Sequence, residues 1–367
     1  MKTKIVKFSM VLMTVAALFL ASCSSDDGGT DPTAQATCSD QIQNGDETGV
    51  DCGGSCSACA VAEVTDLEGS LTEDRTLLAT ESYSLKGTFS VASGATLTIP
   101  AGTKITADVE TGNETSTYIV VQKGGKILVQ GTSSSPVIMT STSKKAGDWG
   151  GLVIAGNATT TKGVDATAEV GGIKYGGTDD TDNSGSISYL VIKYAGAQIN
   201  TESQYNGLTL YAVGSGTTID YVAMIDGKDD GVEFFGGTVS ASNLYLENNE
   251  DDAVDWTEGW NGTVTNTYVS HTIAGFSTAV EGDKVNNNPK LINFTAVSTV
   301  GGTALQFKAT SGATLSTVHL SGYDTYVDMK DDGSVANVIV DDTPLTTVDD
   351  DVFNATALDI SAWTWFN

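Results

Sequence analysis

Asp230-Gly-Val-Glu-Phe234 and Asp252-Ala-Val-Asp-Trp256 are two copies of one short pattern, and the recurrence of this pattern decides the fold. Further copies, including an earlier one, are Asn206-Gly-Leu-Thr-Leu210, Thr278-Ala-Val-Glu281, Thr303-Ala-Leu-Gln-Phe307 and Thr325-Tyr-Val-Asp-Met329. The central polar residues at 233, 255, 281, 306 and 328 are separated by 22, 26, 25 and 22 residues. Self-similarity at a nearly constant period of this length indicates a repeat architecture.

A second column of polar residues keeps pace with the first, about half a period away. It comprises Asp220, Asn243, Asn266, Asn293, Thr317 and Asn337. Short strand-like runs lie between the columns, without an amphipathic helix of useful length, so we predict a β-solenoid whose coils hold about 20–27 residues. Stacked coils bury a continuous apolar core, and stacked Asn side chains hydrogen-bond along the stack. Two other folds are disfavoured. The sequence lacks the signature of a leucine-rich repeat, and the strands of a β-sandwich would not keep two polar columns in register.

Several glycine-rich stretches carry a family resemblance over residues 80–265. They are Tyr83-Ser-Leu-Lys-Gly87, the runs 94–103, 131–136 and 175–185, Gly147-Asp-Trp-Gly-Gly-Leu-Val-Ile154, Gly214-Ser-Gly-Thr217 and the run 229–238. As a set they resemble the right-handed parallel β-helix surface lipoproteins of the Bacteroidota. The resemblance implies an all-β, right-handed parallel β-helix at the cell surface, over residues 64–367, and implies no catalytic residues.

Two segments of this predicted β-helix domain depart from the repeat. Residues 159–185 are rich in Gly, Thr and Asp, so we expect a long excursion from the coil, and loops of that length are commonly functional. The segment Ala362-Trp-Thr-Trp-Phe-Asn367 places three aromatic residues together. We predict that it caps the last coil, because an open β-helix end exposes a sheet edge; a carbohydrate-binding platform is the alternative.

The first residues have the features of a lipoprotein signal. Three lysines precede a short apolar run, which ends at Leu20-Ala-Ser-Cys23 and resembles a bacterial lipobox. We therefore predict that residues 1–22 are removed, that Cys23 is lipidated, and that residues 23–37 form a flexible acidic tether. An ordinary signal peptide is the alternative. The acidic run behind Cys23 favours an outer-membrane lipoprotein exposed at the cell surface over one that faces the periplasm.

Four cysteines, Cys38, Cys52, Cys56 and Cys59, fall within 22 residues and define a small module at 38–60, which resembles an acidic Cys-rich module of exported bacterial proteins. In an exported chain an even count predicts two disulfides, with three pairings open, and zinc at Cys56-x-x-Cys59 is the alternative. The module is also dense in oxygen ligands suited to calcium: Asp40, Asn44, Asp46, Glu47 and Asp51. The alternative is a disulfide knot with solvated acids.

The charge of the chain excludes several classes of partner. It has 46 acidic and 18 basic residues, a net charge of −28, and loss of the signal lysines leaves 15 basic residues and a charge of −31. Nucleic acids and anionic lipid surfaces require clustered Lys and Arg, so neither is an expected partner. Long-range repulsion also disfavours acidic polysaccharides.

Alternation along the repeat turns the apolar pair of each copy inward and the central polar residue outward. Glu233, Asp255, Glu281 and Asp328 then form an acidic stripe, next to acidic doublets at the turns. We predict a calcium site there, formed by Asp229, Asp230, Glu233, Asp251, Asp252 and Asp255. The alternative is a solvated acidic face that keeps the protein soluble.

Three classes of function remain open. A glycoside hydrolase or lyase could use Glu233 and Asp255 as its carboxylate pair, although basic residues near the stripe are few and we expect His271 and His319 to be surface strand residues. A binding platform could use Trp260, expected in an exposed turn, and Tyr175 of the excursion. An accessory subunit of an outer-membrane complex is the third class. We favour a non-catalytic, calcium-stabilised platform that binds a neutral glycan or a protein partner.

Overall fold

The computed structural model describes residues 37–48, 50–59, 65–109, 117–200 and 203–366, and the chain divides into two units, Met1–Ala62 and Glu63–Asn367. In the first unit, disulfides join Cys38 to Cys56 and Cys52 to Cys59, with Cα–Cα distances of 5.5 and 4.8 Å. The predicted disulfides are confirmed, and the zinc alternative is wrong because these four sulfurs are bonded to each other. Cys23 and its predicted lipidation lie outside the described residues.

The second unit consists of short strands. The first coils contain β1 (Asp66–Leu71), β2 (Arg75–Thr76), β3 (Ser82–Val91), β4 (Thr96–Pro100), β5 (Lys104–Ala107), β6 (Tyr118–Val121), β7 (Lys126–Gln130), β8 (Val137–Ser141) and β9 (Leu152–Ala155). A separate two-stranded sheet follows, formed by β10 (Ala166–Thr167) and β11 (Lys174–Tyr175). The central coils contain β12 (Gly185–Lys193), β13 (Leu208–Tyr211), β14 (Thr218–Ile225), β15 (Val232–Phe235), β16 (Ser240–Glu247), β17 (Asp252–Thr257), β18 (Thr263–His271) and β19 (Thr278–Gly282). The last coils contain β20 (Lys290–Ser298), β21 (Thr303–Lys308), β22 (Ala313–Ser321), β23 (Thr325–Lys330), β24 (Val338–Val340) and β25 (Thr343–Pro344), with 3₁₀ helices at Val335–Asn337 and Asp350–Phe353.

Parallel pairing between successive coils gives a β-helix. The short strands β6, β9, β13, β15, β17, β19, β21 and β23 form one column, and the long strands β12, β14, β16, β18, β20 and β22 form another. Every pairing within these two columns is parallel, and from β13 onward each strand pairs with the strand one coil further along. The predicted parallel β-helix is confirmed. None of the described residues forms a helix with the length and hydrophobicity that a membrane span needs.

Each long strand bends at one residue in the left-handed conformation. These residues are Tyr189, Tyr221, Asn243, Asn266, Asn293 and Thr317, with φ between 51° and 55°. Asn tolerates this conformation better than most residues, which explains its recurrence at the bend. The predicted Asn ladder is present: Asn266 Nδ2 donates to Asn243 Oδ1 at 3.1 Å, and Asn293 Nδ2 donates to Asn266 Oδ1 at 2.7 Å.

The prediction was wrong for the first and last members of this second polar column, Asp220 and Asn337. The bend position before Asn243 is Tyr221 rather than Asp220, whose carboxylate instead accepts a hydrogen bond from Asn243 Nδ2 at 2.6 Å. Asn337 lies in the first 3₁₀ helix, and its amide donates to the Thr310 carbonyl at 3.2 Å. Sequence spacing alone cannot distinguish a bend residue from its neighbour.

The core between the strands is apolar and rich in large rings. Val232 and Phe234 of β15 are fully buried, and Phe234 stacks on Trp260 with ring centroids 4.1 Å apart. Trp256 lies 5.7 Å from Trp260 and 5.9 Å from Phe307. Large aromatic side chains contribute much of the buried apolar area of a core, so these rings stabilise the central coils.

The predicted excursion is confirmed: residues 156–184 leave the coil after β9 and return at β12. Its strands β10 and β11 form an antiparallel pair. Gly185, at the return, has φ of +118°, and a Cβ atom there would lie 1.9 Å from the Ile127 carbonyl oxygen, so only glycine fits. Val170, Ile173 and Tyr175 are buried in a cluster that also includes Tyr211 and Phe235 of the short strands. The excursion therefore covers the outer face of the short-strand column.

The C-terminal aromatic residues do not cap the last coil, so that expectation was wrong. Phe366 stacks on Tyr245 at 3.7 Å, and Trp365 contacts the rings of Tyr189 and Tyr221 edge-on. These tyrosines lie on the long strands β12, β14 and β16, several coils before the end, and offer the ring faces on which the C-terminal residues pack. Phe353 of the second 3₁₀ helix is instead buried in the core near the last strands, with its ring 6.2 Å from that of Tyr326.

Candidate functional site

The outward residues of the short-strand column lie in register. Thr209 pairs with Glu233, Glu233 with Asp255, and Asp255 with Glu281. The column continues through Gln306 and Asp328. The predicted acidic stripe is therefore confirmed as a set of neighbouring positions on adjacent strands.

Two acidic doublets, Asp229-Asp230 and Asp251-Asp252, line the same cleft as this stripe, and the second residue of each doublet is buried. Asp230 is 6% exposed, and its Oδ1 accepts a hydrogen bond from the Asp252 backbone N–H at 3.0 Å. Asp252 is also buried, and its Oδ1 accepts a hydrogen bond from Thr278 Oγ1 at 2.5 Å. The alternative of a freely solvated acidic face was wrong for these two side chains.

Together these residues form an acidic cleft with a volume of about 330 Å³. It is lined by Glu169, Ser203, Gln204, Asp229, Asp230, Glu233, Asp251, Asp252, Asp255, Ser277, Glu281, Gln306 and Lys308. One carboxylate oxygen each from Asp230, Glu233 and Asp255 lies within 4.8 Å of the other two, and the same holds for Asp229, Asp230 and Asp251. The six residues predicted as metal ligands therefore come together in the structure.

Neutral donors and one lysine only partly balance the acids of the cleft. Asn206 Nδ2 donates to Glu233 Oε2 at 2.7 Å, while Gln306 Nε2 donates to Glu281 at 2.6 Å, and Lys308 forms an ion pair with Glu281. Asp255 Oδ1 is buried and has no hydrogen-bond partner. Among the described residues, eight carboxyl groups and one ammonium group line the cleft, so most of its acids need a proton or a bound cation to balance their charge.

The crowding of acids inside protein raises their pKa values. Burial, together with the charge of Asp251, raises the pKa of Asp229 to about 8, and burial with the charge of Glu281 raises the pKa of Asp252 to about 7. Burial is also the main reason that the pKa values of Asp230, Glu233 and Asp255 lie well above the usual range. Without a cation the cleft therefore retains protons near neutral pH, and a divalent cation would replace them.

The geometry of the cleft suits a hard cation. Ca²⁺ takes six to eight oxygen ligands, and the cleft offers carboxylates together with neutral oxygens. The residues that best fit this role are Asp230, Glu233 and Asp255, because their oxygens converge and one of those oxygens has no protein partner.

The cleft includes two acids that the sequence reasoning did not assign to the site. Glu281 was predicted as a member of the acidic stripe but not as a metal ligand. Its place in the column, next to Asp255, was sufficient to add it to the predicted site. Glu169 comes from the excursion, and no spacing in the sequence relates it to the repeat.

The comparison with known families agrees with this fold. A family described as a pectate-lyase-like β-helix domain matches residues 69–361. The chain belongs to this family. No curated protein matches the chain.

In this pectate-lyase-like β-helix domain the acidic cleft lies on the outer face of the short strands. Lys308 is the one basic residue among the described residues that line it. Arg75 belongs to β2, in the first coils, where its guanidinium lies 5.9 Å from the Tyr83 ring. The scarcity of basic residues expected from the sequence therefore applies to the cleft itself.

The two aromatic residues predicted to bind a ligand are both buried, so the expectation that Trp260 lies in an exposed turn was wrong. Trp260 is 0% exposed, and its Nε1 donates to the Val239 carbonyl at 2.9 Å. Trp260 lies in the core, where its ring stacks on that of Phe234, although the glycines around it in the sequence are typical of an exposed turn. Tyr175 is 2% exposed, and its hydroxyl donates to Glu258 at 2.9 Å.

Of the two histidines, His271 is buried rather than at the surface. Its ring stacks on Phe276 at 3.6 Å, and Nδ1 lies 2.9 Å from the Tyr323 hydroxyl. Burial lowers the pKa of His271 to about 4. His319 is half-buried and bonded to the Ala355 carbonyl. Neither lines the acidic cleft.

In the Cys-rich module the predicted calcium ligands have partners within the module. Asp51 accepts hydrogen bonds from the Asp40 and Gln41 backbone N–H groups, at 2.8 and 2.9 Å. Asp40 accepts from the Asn44 amide at 2.8 Å, Asp46 from Ser55 at 2.9 Å, and Glu47 from the Asn44 backbone at 2.9 Å. Hydrogen bonds from Thr37 and Ser55 lower the pKa values of Asp40 and Asp46, respectively. These acids stabilise turns of the module, which agrees with the disulfide-knot alternative.

Proposed function

We propose that this protein is a calcium-binding surface lipoprotein whose β-helix is a non-catalytic platform for a neutral glycan. The observation that carries the proposal is the convergence of Asp230, Glu233 and Asp255 in the acidic cleft, with Asp255 Oδ1 buried and unpartnered. Two unit charges 4.8 Å apart repel by about 0.9 kcal/mol in water and by ~3.5 kcal/mol near a protein surface. Several such pairs in one cleft favour a bound cation.

The cation also provides the means of recognition. Protein carboxylates rarely fill all the coordination positions of Ca²⁺, and water or hydroxyl oxygens take the others. A glycan offers such hydroxyl groups, and a neutral glycan avoids repulsion from the net charge of −28. The burial of Trp260 and Tyr175 removes these two side chains as exposed aromatic platforms, which favours the cleft as the place of glycan contact.

The experiment is a panel of polysaccharides, immobilised for retention and also incubated in solution to detect products. Wild-type protein in Ca²⁺ is compared with protein in EDTA, with Glu233→Gln and with Asp255→Asn. Asp328→Asn is the matched control, since Asp328 belongs to the same column but does not line the cleft. We expect retention that requires Ca²⁺, is lost in the two cleft variants and persists in the control.

A polysaccharide-degrading enzyme is the second candidate, because the raised pKa values give the cleft protonated carboxyl groups near neutral pH. A retaining glycosidase places its two carboxyl groups about 5–5.5 Å apart, and oxygens of Glu233 and Asp255 lie within 4.8 Å of each other. Release of products, abolished by either cleft variant, would establish this function. Retention without products would exclude it for the glycans tested.

The lipid anchor and the surface location belong to the same proposal. Replacing Cys23 with Ala should move the protein from the membrane fraction to the soluble fraction. If the variant stays with the membrane, the anchor lies elsewhere. If no glycan is retained, cross-linking on intact cells would test the remaining candidate, an accessory subunit of an outer-membrane complex.

A further inference from the structure

A second, smaller pocket lies between the excursion and the short strands. Its volume is about 160 Å³, and its walls include Tyr211 of β13, Phe235 of β15 and Thr257 of β17. Tyr175 and Glu169 contribute from the excursion, and Glu169 also lines the acidic cleft. The two sites are therefore neighbours on the same face of the β-helix.

A stack of aromatic rings ends at this pocket. Tyr175 lies 4.8 Å from Tyr211, and Tyr211 stacks on Phe235 at 4.3 Å. In the next coil the position in register with Phe235 holds Thr257, a much smaller side chain. The change from a ring to a threonine leaves space beside Phe235 where a further ring of the stack would lie.

Two side chains that line the pocket carry hydroxyl groups that have no hydrogen-bond partner. Tyr211 is 1% exposed and its hydroxyl forms no hydrogen bond, and Thr257 is 7% exposed and its Oγ1 forms none. Buried polar groups in folded proteins are nearly always hydrogen-bonded, because leaving them unpaired is costly. Both hydroxyls belong to side chains that line the same space, which indicates a polar occupant.

A fixed carboxylate completes the polar side of the pocket. Glu258 is buried, and its position is held by the Tyr175 hydroxyl at 2.9 Å and by Thr160 Oγ1 at 2.7 Å. A carboxylate has about four lone-pair positions, so Glu258 can accept a further hydrogen bond from a ligand. Two exposed lysines, Lys162 and Lys284, also line the pocket and can donate hydrogen bonds to hydroxyl oxygens.

We propose that this pocket binds a single neutral pyranose ring of the glycan, stacked against Phe235. A cavity of about 150 Å³ takes one benzene-sized ring, so the space fits one six-membered ring. The hydroxyls of the sugar pair with Tyr211, Thr257 and Glu258, while its apolar face covers Phe235. An entirely apolar ligand would leave the hydroxyls unpaired, and a phosphorylated one would be repelled by the net charge.

This inference rests on the proposed glycan-binding function and names the part of the glycan that is recognised. The test is saturation-transfer NMR with D-glucose, D-galactose, D-mannose and N-acetyl-D-glucosamine at millimolar concentration. The variants are Tyr211→Phe and Thr257→Val, which remove one hydroxyl each and keep the size of the side chain. The control is Tyr245→Phe, which removes a tyrosine hydroxyl bonded to Glu247 on the long strands.

We expect at least one sugar to bind the wild-type protein, with roughly 5- to 10-fold weaker binding in each pocket variant and unchanged binding in the control. The melting temperature of the two variants should not fall, because neither hydroxyl has a partner in the protein. Absence of binding by all four sugars, or equal binding by variants and wild type, would overturn the proposal.

Measurements of calcium binding, polysaccharide retention and monosaccharide binding on the same protein samples distinguish this proposal from the proposed calcium-binding platform. Calcium-dependent retention of a polysaccharide without monosaccharide binding would refute the pocket and leave the platform standing. Monosaccharide binding that depends on Tyr211 and Thr257, in a protein that binds no calcium, would support the pocket and refute the calcium site.

Discussion

Glu233 and Asp255 occupy directly paired positions on adjacent parallel strands, and one carboxyl oxygen of each residue lies within 4.8 Å of one of the other residue. Two carboxyl groups this close together in a buried site favour a proton on at least one of them. Burial, together with like charges nearby, keeps that proton in place to a pH well above the usual range for a carboxylic acid. The pair therefore responds to pH and to cations as one unit.

Without a cation, the protein should lose stability as the pH rises from about 4 to about 8. The pKa values of Asp252 and Asp229 are raised to about 7 and about 8, so the native state holds more protons than the unfolded state in this range. An excess of protons in the native state makes the free energy of unfolding fall with rising pH. Thermal melts in EDTA at about pH 5 and about pH 8.5 should show a melting temperature lower by several degrees at the higher pH. Equal melting temperatures would contradict the raised pKa values.

Calcium should reverse this loss of stability and release protons when it binds. Ligand carboxyl groups must lose their protons to coordinate Ca²⁺, so the apparent affinity should increase with pH. Calorimetric titrations in two buffers with different ionisation enthalpies measure the protons released. We expect about one or more protons per Ca²⁺ near pH 7. Glu233→Gln and Asp255→Asn should weaken binding by about tenfold or more, with Asp328→Asn unchanged. Binding without proton release would mean that the cation occupies another site.

Asn266 should contribute to stability through both its amide and its backbone conformation. Its side chain bonds to Asn243 and Asn293 in the adjacent coils, and its φ is +53°. Asn266→Leu removes both hydrogen bonds and strains the backbone, and should destabilise by about 2–4 kcal/mol in urea unfolding. Asn266→Gly removes the hydrogen bonds but tolerates the conformation, and should cost less. Equal losses in the two variants would show that backbone strain contributes nothing.

Trp260→Ala should unfold more easily rather than lose a ligand-binding surface. Trp260 is fully buried, stacks on Phe234 and donates a hydrogen bond to Val239. Truncation of a buried Trp typically costs about 3–5 kcal/mol, and Trp260→Phe should cost less because it keeps part of the ring stack. Urea unfolding measures both. A fully stable Trp260→Ala variant that loses glycan retention would instead support an exposed binding role.

The period and the alternation of the short pattern were sufficient to predict the β-helix and its acidic column. Val232 and Phe234 must both be buried while Glu233 points away, and a coil achieves this burial only by stacking on copies of itself. Glu233 and Asp255 are 22 residues apart, which is one coil of the repeat, and for that reason they pair with each other on adjacent strands. The disulfides of the N-terminal module were likewise predictable from the even number of cysteines, although their pairing was not.

Only the tertiary structure decided which of these acids are buried and what lies beside them. The alternation did not reveal that Asp230 and Asp252 are buried, because their burial depends on neighbouring coils. Tyr175 and Glu258 are 83 residues apart and meet because the excursion folds back over the short strands. Trp260 enters the core by stacking on a ring of the preceding coil. A local pattern determines which way a side chain points along its own strand, whereas burial and pocket formation depend on contacts between segments that no repeat relates.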